Sequence, residues 1–338
     1  MNPIANYFRD LYRGTLAGWN RFWFSPTDPA TLGLIRILAG AMLFYTHLVW
    51  TLDLPGFFGR HGWLSPSAIA SLPEDGRLKW SWFYWIDSPG LLWVVHIAAL
   101  VVFALFTIGL WSRVMSIVAF LATISYINRA SLAQFGLDDT NAMLVMYLMV
   151  GPSGAAYSVD RWLKRRRAEG QLAIEPRVGA NISIRLLQVH MCVIYLFSGI
   201  GKIQGENWWN GNAILMAVAN QEYQSLDITW LIHYRWLASL LAHATVFWEA
   251  SYCVLVWPRL TRPLVLAMAV GIHLGIGAFL GMWTFGLAMI IGNLAFVSPW
   301  VVRQIIDRRQ PVGEPVAESS ATTAPARPKR ATARFAGR

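Results

Sequence analysis

The residues best able to do chemistry are the ionisable ones that fall inside apolar stretches: Arg36, His47, His96, Arg185, His190, Lys202, His243, Glu249 and His273. A charged side chain at the centre of a lipid-embedded helix costs roughly 2.5–3.5 kcal/mol on insertion scales. Each therefore needs a partner, a route to the headgroups, or a function. The stretch RLLQVHMCVIYLFSGIGKIQ (185–204) is the most informative. Arg185, Gln188, Cys192, Tyr195, Ser198 or Gly199, and Lys202 recur every three or four residues, so they share one helical face. A polar, small-residue stripe of this kind faces other helices rather than lipid. An amine at its end, held in a partly dry pocket, can give up its proton and act as a base. The plainer alternative is a lysine reaching to the headgroups. Glu249 and His273 fall near the middle of apolar runs, where a carboxylate must be protonated or paired. They read either as a buried polar clamp between helices or as functional groups. Arg36 and Arg185 lie near helix ends and can snorkel. His47, His96 and His243 read as packing residues, and His190 turns away from Gln188. The seven histidines show no HxxxH or HExxH spacing, and there is no CxxC. No metal is expected.

These groups need a scaffold, and the composition says which kind. Of 338 residues, 56% are hydrophobic and 14% are charged, against roughly 25% charged in soluble domains. That is too little charge to cover a soluble surface. The chain reads as an all-α polytopic membrane protein. Apolar runs near 20 residues long predict about eight transmembrane helices, at about 30–50, 90–111, 113–128, 139–156, 182–202, 236–257, 263–281 and 284–302. Ahead of them, residues 1–28 place Ile4, Phe8, Leu11, Trp19, Phe22 and Trp23 at helical spacing, which predicts an amphipathic helix on the membrane surface. Two stretches between the runs, 53–89 and 203–235, are too polar to span. The second carries Trp208, Trp209 and Trp230, residues suited to the membrane interface. Residues 303–338 are rich in Ala, Pro, Thr and Arg and predict a disordered basic tail. The chain thus divides into 1–28, a transmembrane domain over 29–302, and 303–338.

The formal net charge of +10 does not point to nucleic acid, because the basic residues cluster beside apolar runs. With the N-terminus inside, 20 of the 28 lysines and arginines fall on the cytoplasmic side. That bias predicts both termini in the cytoplasm and a multi-pass protein of the cell membrane if the source is bacterial. Cys192 and Cys253 lie in apolar runs and read as small hydrophobes. No internal repeat is visible, which disfavours a transporter built from inverted halves.

The segment Tyr195-Leu-Phe-Ser-Gly-Ile-Gly-Lys202, followed by Gly205, Trp208, Gly211 and Ala213, resembles the signature of the HTTM (horizontally transferred transmembrane domain) family. That family includes the membrane domain of vitamin K-dependent gamma-carboxylase. Further matches are Leu34–Gly40, Gly109–Arg113, Tyr157–Asp160 and His273, so the resemblance covers about residues 30–302. It implies that Lys202 is the base that deprotonates a reduced, vitamin K-like quinone. Reaction with oxygen would then give an alkoxide strong enough to take a proton from the gamma-carbon of Glu, which adds CO2. Trp208 and the Gly211 turn would cover the mouth, and Glu249 and His273 would orient the quinone or relay protons. Arg36, Gln188 and Tyr195 complete the expected ligand-binding set. The implied partners are membrane lipid, the quinone, and a peptide or protein substrate arriving from the outer side.

Two departures shape the expectation. The carboxylase has a catalytically implicated His between its third and fourth spans, whereas residues 128–140 here hold Asp138 and Asp139 and no His. The carboxylase also has a large C-terminal domain outside the membrane, where this chain has a short basic tail. The reading is a quinone-dependent, carboxylase-like enzyme with Lys202 as base on an unknown substrate. The alternative is a non-enzymatic lipid- or quinone-binding component of a peptide-maturation or export system.

Overall fold

Proline and glycine mark the helix ends at the positions their backbone chemistry favours. The computed structural model describes residues 3–63, 65–70, 80–169 and 173–307. Helix α1 (Pro3–Phe24) is followed by α2 (Ala30–Trp50), α3 (Pro89–Ile108), α4 (Ser112–Arg129) and α5 (Gly136–Val150). Then come α6 (Val159–Arg167), α7 (Val178–Gln204), α8 (Arg235–Leu255), α9 (Arg262–Leu280), α10 (Trp283–Asn293) and α11 (Pro299–Asp307). Pro89 opens α3 and a proline lies in the first turn of α9, where a missing N–H costs nothing. Gly109 (φ 72°) and Gly281 (φ 69°) close the same two helices in the left-handed conformation. Among the described residues there is no strand, only an isolated bridge between Thr27 and Arg177.

Seven of the eight predicted runs each coincide with one helix. The last does not. Residues 284–302 break into α10, a tight turn over Leu294–Phe296, and α11, with a bend of 112° before α11. The bend falls where Val297 is extended and where Ser298 precedes Pro299, a position in which helical backbone is disfavoured. Helix α11 runs to Asp307, five residues into the stretch predicted to be disordered. Residues 308–338 of that predicted tail lie outside the described residues. Among the described residues, four helical segments are long and apolar enough to cross a membrane: Ala30–Phe58, α3, α7 and α9. Helix α5, at 15 residues, is only about 22 Å long at 1.5 Å per residue.

Helix α2 sits between α3, α5, α10 and α11, while α7 packs against α1, α5, α8 and α10. The polar stripe of α7 faces inward as expected, with Gln188, Cys192, Tyr195 and Gly199 all buried. Helices in lipid gain little from hydrophobic burial against one another, so close backbone approach and buried hydrogen bonds must hold them. Two glycines show this. A Cβ on Gly199 would lie 2.7 Å from the backbone N of Ala250, and one on Gly286 would lie 2.3 Å from the carbonyl O of His273. The first seats α7 on α8; the second seats α10 on α9.

The end of α1 is fastened to the start of α7. Asn181 Nδ2 donates to the carbonyls of Phe22 (2.7 Å) and Trp23 (2.9 Å), and the Arg185 guanidinium lies 4.4 Å from the Phe22 ring centroid. Arg185 is therefore engaged with protein rather than simply extended to the headgroups. The rest of α1 exposes Ile4, Tyr7, Phe8, Leu11 and Trp19. Arg303 ties α11 back to the start of α2 through two contacts to Asp28, at 2.6 and 2.8 Å.

Gly199→Ala should destabilise the protein by about 1–3 kcal/mol, because the new methyl group meets backbone that cannot rotate away. Gly201→Ala serves as the control, since nothing lies within 4 Å of its Cβ. It should be neutral or stabilising by up to about 1 kcal/mol from helix propensity. Thermal unfolding in detergent separates the two; equal behaviour would contradict the close-approach account.

Candidate functional site

At the C-terminal end of α7 the stripe meets α8. Lys202 Nζ lies 2.7 Å from Glu249 Oε2 and donates to Ser198 Oγ at 2.7 Å. Glu249 is buried and the Lys202 side chain is 20% exposed. The carboxylate is thus paired, as a charge among apolar helices must be. The close approach at Gly199 and Ala250 brings α7 and α8 together beside this contact. The chain then turns at Gly205 into a helical turn over Glu206–Trp209, which brings the Trp208 ring to 5.1 Å from Lys202 Nζ. An ammonium near an indole face gains cation–π attraction. Gly211 follows with φ +77°, and a Cβ there would lie 2.6 Å from the Ser239 side chain on α8. Its role is to let this turn dock on α8.

Below the ion pair lies a second polar group. Asn293 Nδ2 donates to Tyr195 Oη at 2.8 Å, and Asn293 Oδ1 accepts from Tyr252 Oη at 2.7 Å. Tyr195 Oη is also 2.8 Å from His273 Nε2. Asn293 Nδ2 donates to this hydroxyl and His273 Nε2 lies within its reach, so the pairing that leaves the fewest groups unsatisfied sends the hydroxyl proton to the imidazole. In that tautomer His273 Nε2 accepts and the ring proton sits on Nδ1. His273 Nδ1 is buried and has no hydrogen-bond partner. An unsatisfied donor in such a place calls for an explanation. A ligand oxygen would satisfy it. The Tyr195 ring packs on Trp248 (4.9 Å between centroids) and Tyr252 (4.2 Å), so the network sits in an aromatic frame.

Of the expected site residues, the structure brings together Lys202, Glu249, Trp208, Tyr195 and His273 around the α7–α8 contact. Arg36 and Gln188 are elsewhere. Arg36 is fully buried on α2, where Nη2 donates to the carbonyl O of Tyr157. Gln188 takes a hydrogen bond from Arg185 (2.9 Å) and gives one to the carbonyl O of Ala295 (2.8 Å). It lies about 21 Å along α7 from Lys202 at 1.5 Å per residue. Both hold the far end of the bundle together. Asn293 and Tyr252 were not singled out in the sequence, although Asn293 is the one carboxamide in the run 284–302. His96 and His47 form a separate cluster with Tyr126, with His96 Nδ1 at 2.7 Å from the Tyr126 hydroxyl. No group of three or more potential metal ligands occurs among the described residues.

A helical bundle with several membrane-crossing candidates and a buried amine–carboxylate pair defines a membrane protein with a polar site inside an apolar scaffold. The family model of the HTTM domain matches residues 24–300. The chain belongs to the HTTM family, to which the vitamin K-dependent carboxylase membrane domain is related. No curated protein and no solved structure matches it.

Removing one partner of the pair should cost far more than removing both. Lys202→Met leaves the Glu249 charge uncompensated, at a cost of about 3 kcal/mol. The double change Lys202→Met with Glu249→Leu should recover most of that loss. Melting temperatures of the wild type, both single variants and the double variant would check it. Additive losses would mean that the two groups do not interact.

Proposed function

We propose that this protein binds a reduced quinone at the Lys202 end of α7 and oxidises it with molecular oxygen, with Lys202 as the base. The observation that carries this reading is the coincidence, at one helix contact, of a paired amine and an unsatisfied buried imidazole N–H. Lys202 takes a hydroxyl proton from the hydroquinone. It can do so as the neutral amine, with its own proton passed to Glu249 across the 2.7 Å contact. His273 Nδ1 donates to a ligand oxygen, held in that orientation by Tyr195 and Asn293. Trp208 covers the amine and limits water access. Overall, one hydroquinone and one O2 yield one quinone epoxide and one water. The same proposal includes a coupled step, in which the oxygenated quinone takes a proton from the gamma-carbon of a peptide glutamate and CO2 adds in its place; the family membership supports it.

The proposed topology has eight crossings and both termini on the cytoplasmic side. The asymmetry of basic residues supports it, as does the placing of helices at the predicted runs. Helix α1 lies on the membrane with its exposed apolar face in the headgroup layer.

Purified protein in nanodiscs, given reduced vitamin K, bicarbonate, a short Glu-containing peptide and air, should form quinone epoxide. Lys202→Ala should lower the rate at least about a hundredfold, the low end for loss of a positioned general base. Epoxide formation at wild-type rate by the variant would sink the assignment of the base. No epoxide from folded wild type with any of several quinones would favour a lipid- or quinone-binding component instead. Topology has its own check: in intact cells, Glu222→Cys should react with a membrane-impermeant maleimide and Lys164→Cys only after permeabilisation. The reverse pattern would invert the orientation.

A further inference from the structure

The opposite end of the bundle carries an unbalanced concentration of positive charge around a cleft. The start of α4, the loop after α5, helix α6 and the start of α7 border a space of about 250 Å3. Arg113, Arg161, Lys164 and Arg177 line it, against the single carboxylate of Asp160. Asp160 is already committed. It accepts from the backbone N–H groups of Trp111 (2.8 Å) and Ser112 (2.7 Å) and from Ser112 Oγ (2.7 Å). Partial burial acts the other way, yet these bonds and nearby Lys164 hold its carboxyl below the usual range. Arg113 is committed too, since Nη1 bonds the carbonyl O atoms of Met149 and Val150 at the end of α5. Burial and the surrounding charges of Arg165, Arg177 and Arg303 lower Arg161, with Glu175 opposing them. Such mutual opposition marks cations crowded together. Arg36 adds another positive charge behind them, with Nε and Nη1 buried and unpaired.

The cleft lies at the same level as features that belong in the headgroup layer. Arg177 exchanges backbone hydrogen bonds with Thr27, just after α1. Helix α1 exposes its apolar face, and α6 exposes Trp162 with the Arg166 guanidinium 5.2 Å from its ring centroid. Apolar and aromatic surface flanked by basic side chains sits where lipid headgroups begin. Basic pockets at that depth hold phosphate-bearing headgroups.

We propose that this cleft binds the phosphate of an anionic phospholipid headgroup, gripped by Lys164 and Arg177. The site is independent of any chemistry at Lys202. It would fix the rotation and depth of the bundle in the membrane by a specific contact.

Native mass spectrometry of the full chain in mild detergent tests it, with phosphatidylglycerol, phosphatidylcholine and inorganic phosphate as probes. Wild type should retain phosphatidylglycerol in preference to phosphatidylcholine. Lys164→Gln with Arg177→Gln should weaken that binding roughly thirtyfold, at about fivefold per basic residue. Arg166→Gln with Arg167→Gln removes the same charge outside the cleft and should weaken it less than about threefold. Arg113 is left in place because it caps α5. Should the cleft double variant fail to fold, Lys164→Gln alone should lose about fivefold. Equal losses in the cleft and control variants would show diffuse surface attraction and overturn the site. Displacement of the lipid by millimolar inorganic phosphate would identify a soluble phosphate ligand and overturn the lipid assignment.

Discussion

The contact between α7 and α8 at Gly199 and Ala250 is the constraint on which the site depends. A carboxylate among apolar helices is tolerable only with a cation beside it, because its desolvation must be offset by a close partner. The backbone approach at Gly199 seats α7 on α8, and beside it Lys202 and Glu249 meet at 2.7 Å. One helical turn earlier on α7, the same seating delivers Tyr195 to the gap between α8, α9 and α10. A single packing decision therefore sets both the ion pair and the hydrogen-bond network below it.

The network is a junction of four helices rather than a property of one. Tyr195 comes from α7, Tyr252 from α8, His273 from α9 and Asn293 from α10. Asn293 can take part because α10 ends there and turns before the bend into α11. The bend after Phe296 turns α11 back against α2, where Arg303 meets Asp28. Gly286 contributes by letting α10 lie close to the backbone of His273.

The two ends of the bundle do different work. At one end the buried Lys202–Glu249 pair sits beside a hydrogen-bonded network in an aromatic frame. At the other, Arg36, Gln188, Asn181 and Arg185 bind backbone carbonyls and hold helix ends, while the basic cleft faces the headgroup layer. Arginine suits the second task because its several donors can satisfy carbonyls left open where helices end. Lysine suits the first, because a single compact ammonium on a flexible stem can sit against one buried carboxylate.

Much was legible in the sequence because it depended on local order. Apolar runs, punctuated by Pro89, Gly109 and Gly281, determined where helices begin and end, and the spacing of Gln188, Cys192, Tyr195 and Lys202 determined which face of α7 turns inward. The YLFSGIGK segment also carried the family membership. What local order could not supply was partnership between residues far apart in the chain. Glu249 beside Lys202 and Asn293 between two tyrosines depend on which helices pack together and at what height. Arg36 and Lys202 looked alike as intramembrane cations, yet one clamps a carbonyl and the other faces a carboxylate. Periodicity reports a residue's direction around its own helix axis, whereas a hydrogen bond needs the second helix to arrive within about 3 Å, and only tertiary packing decides that.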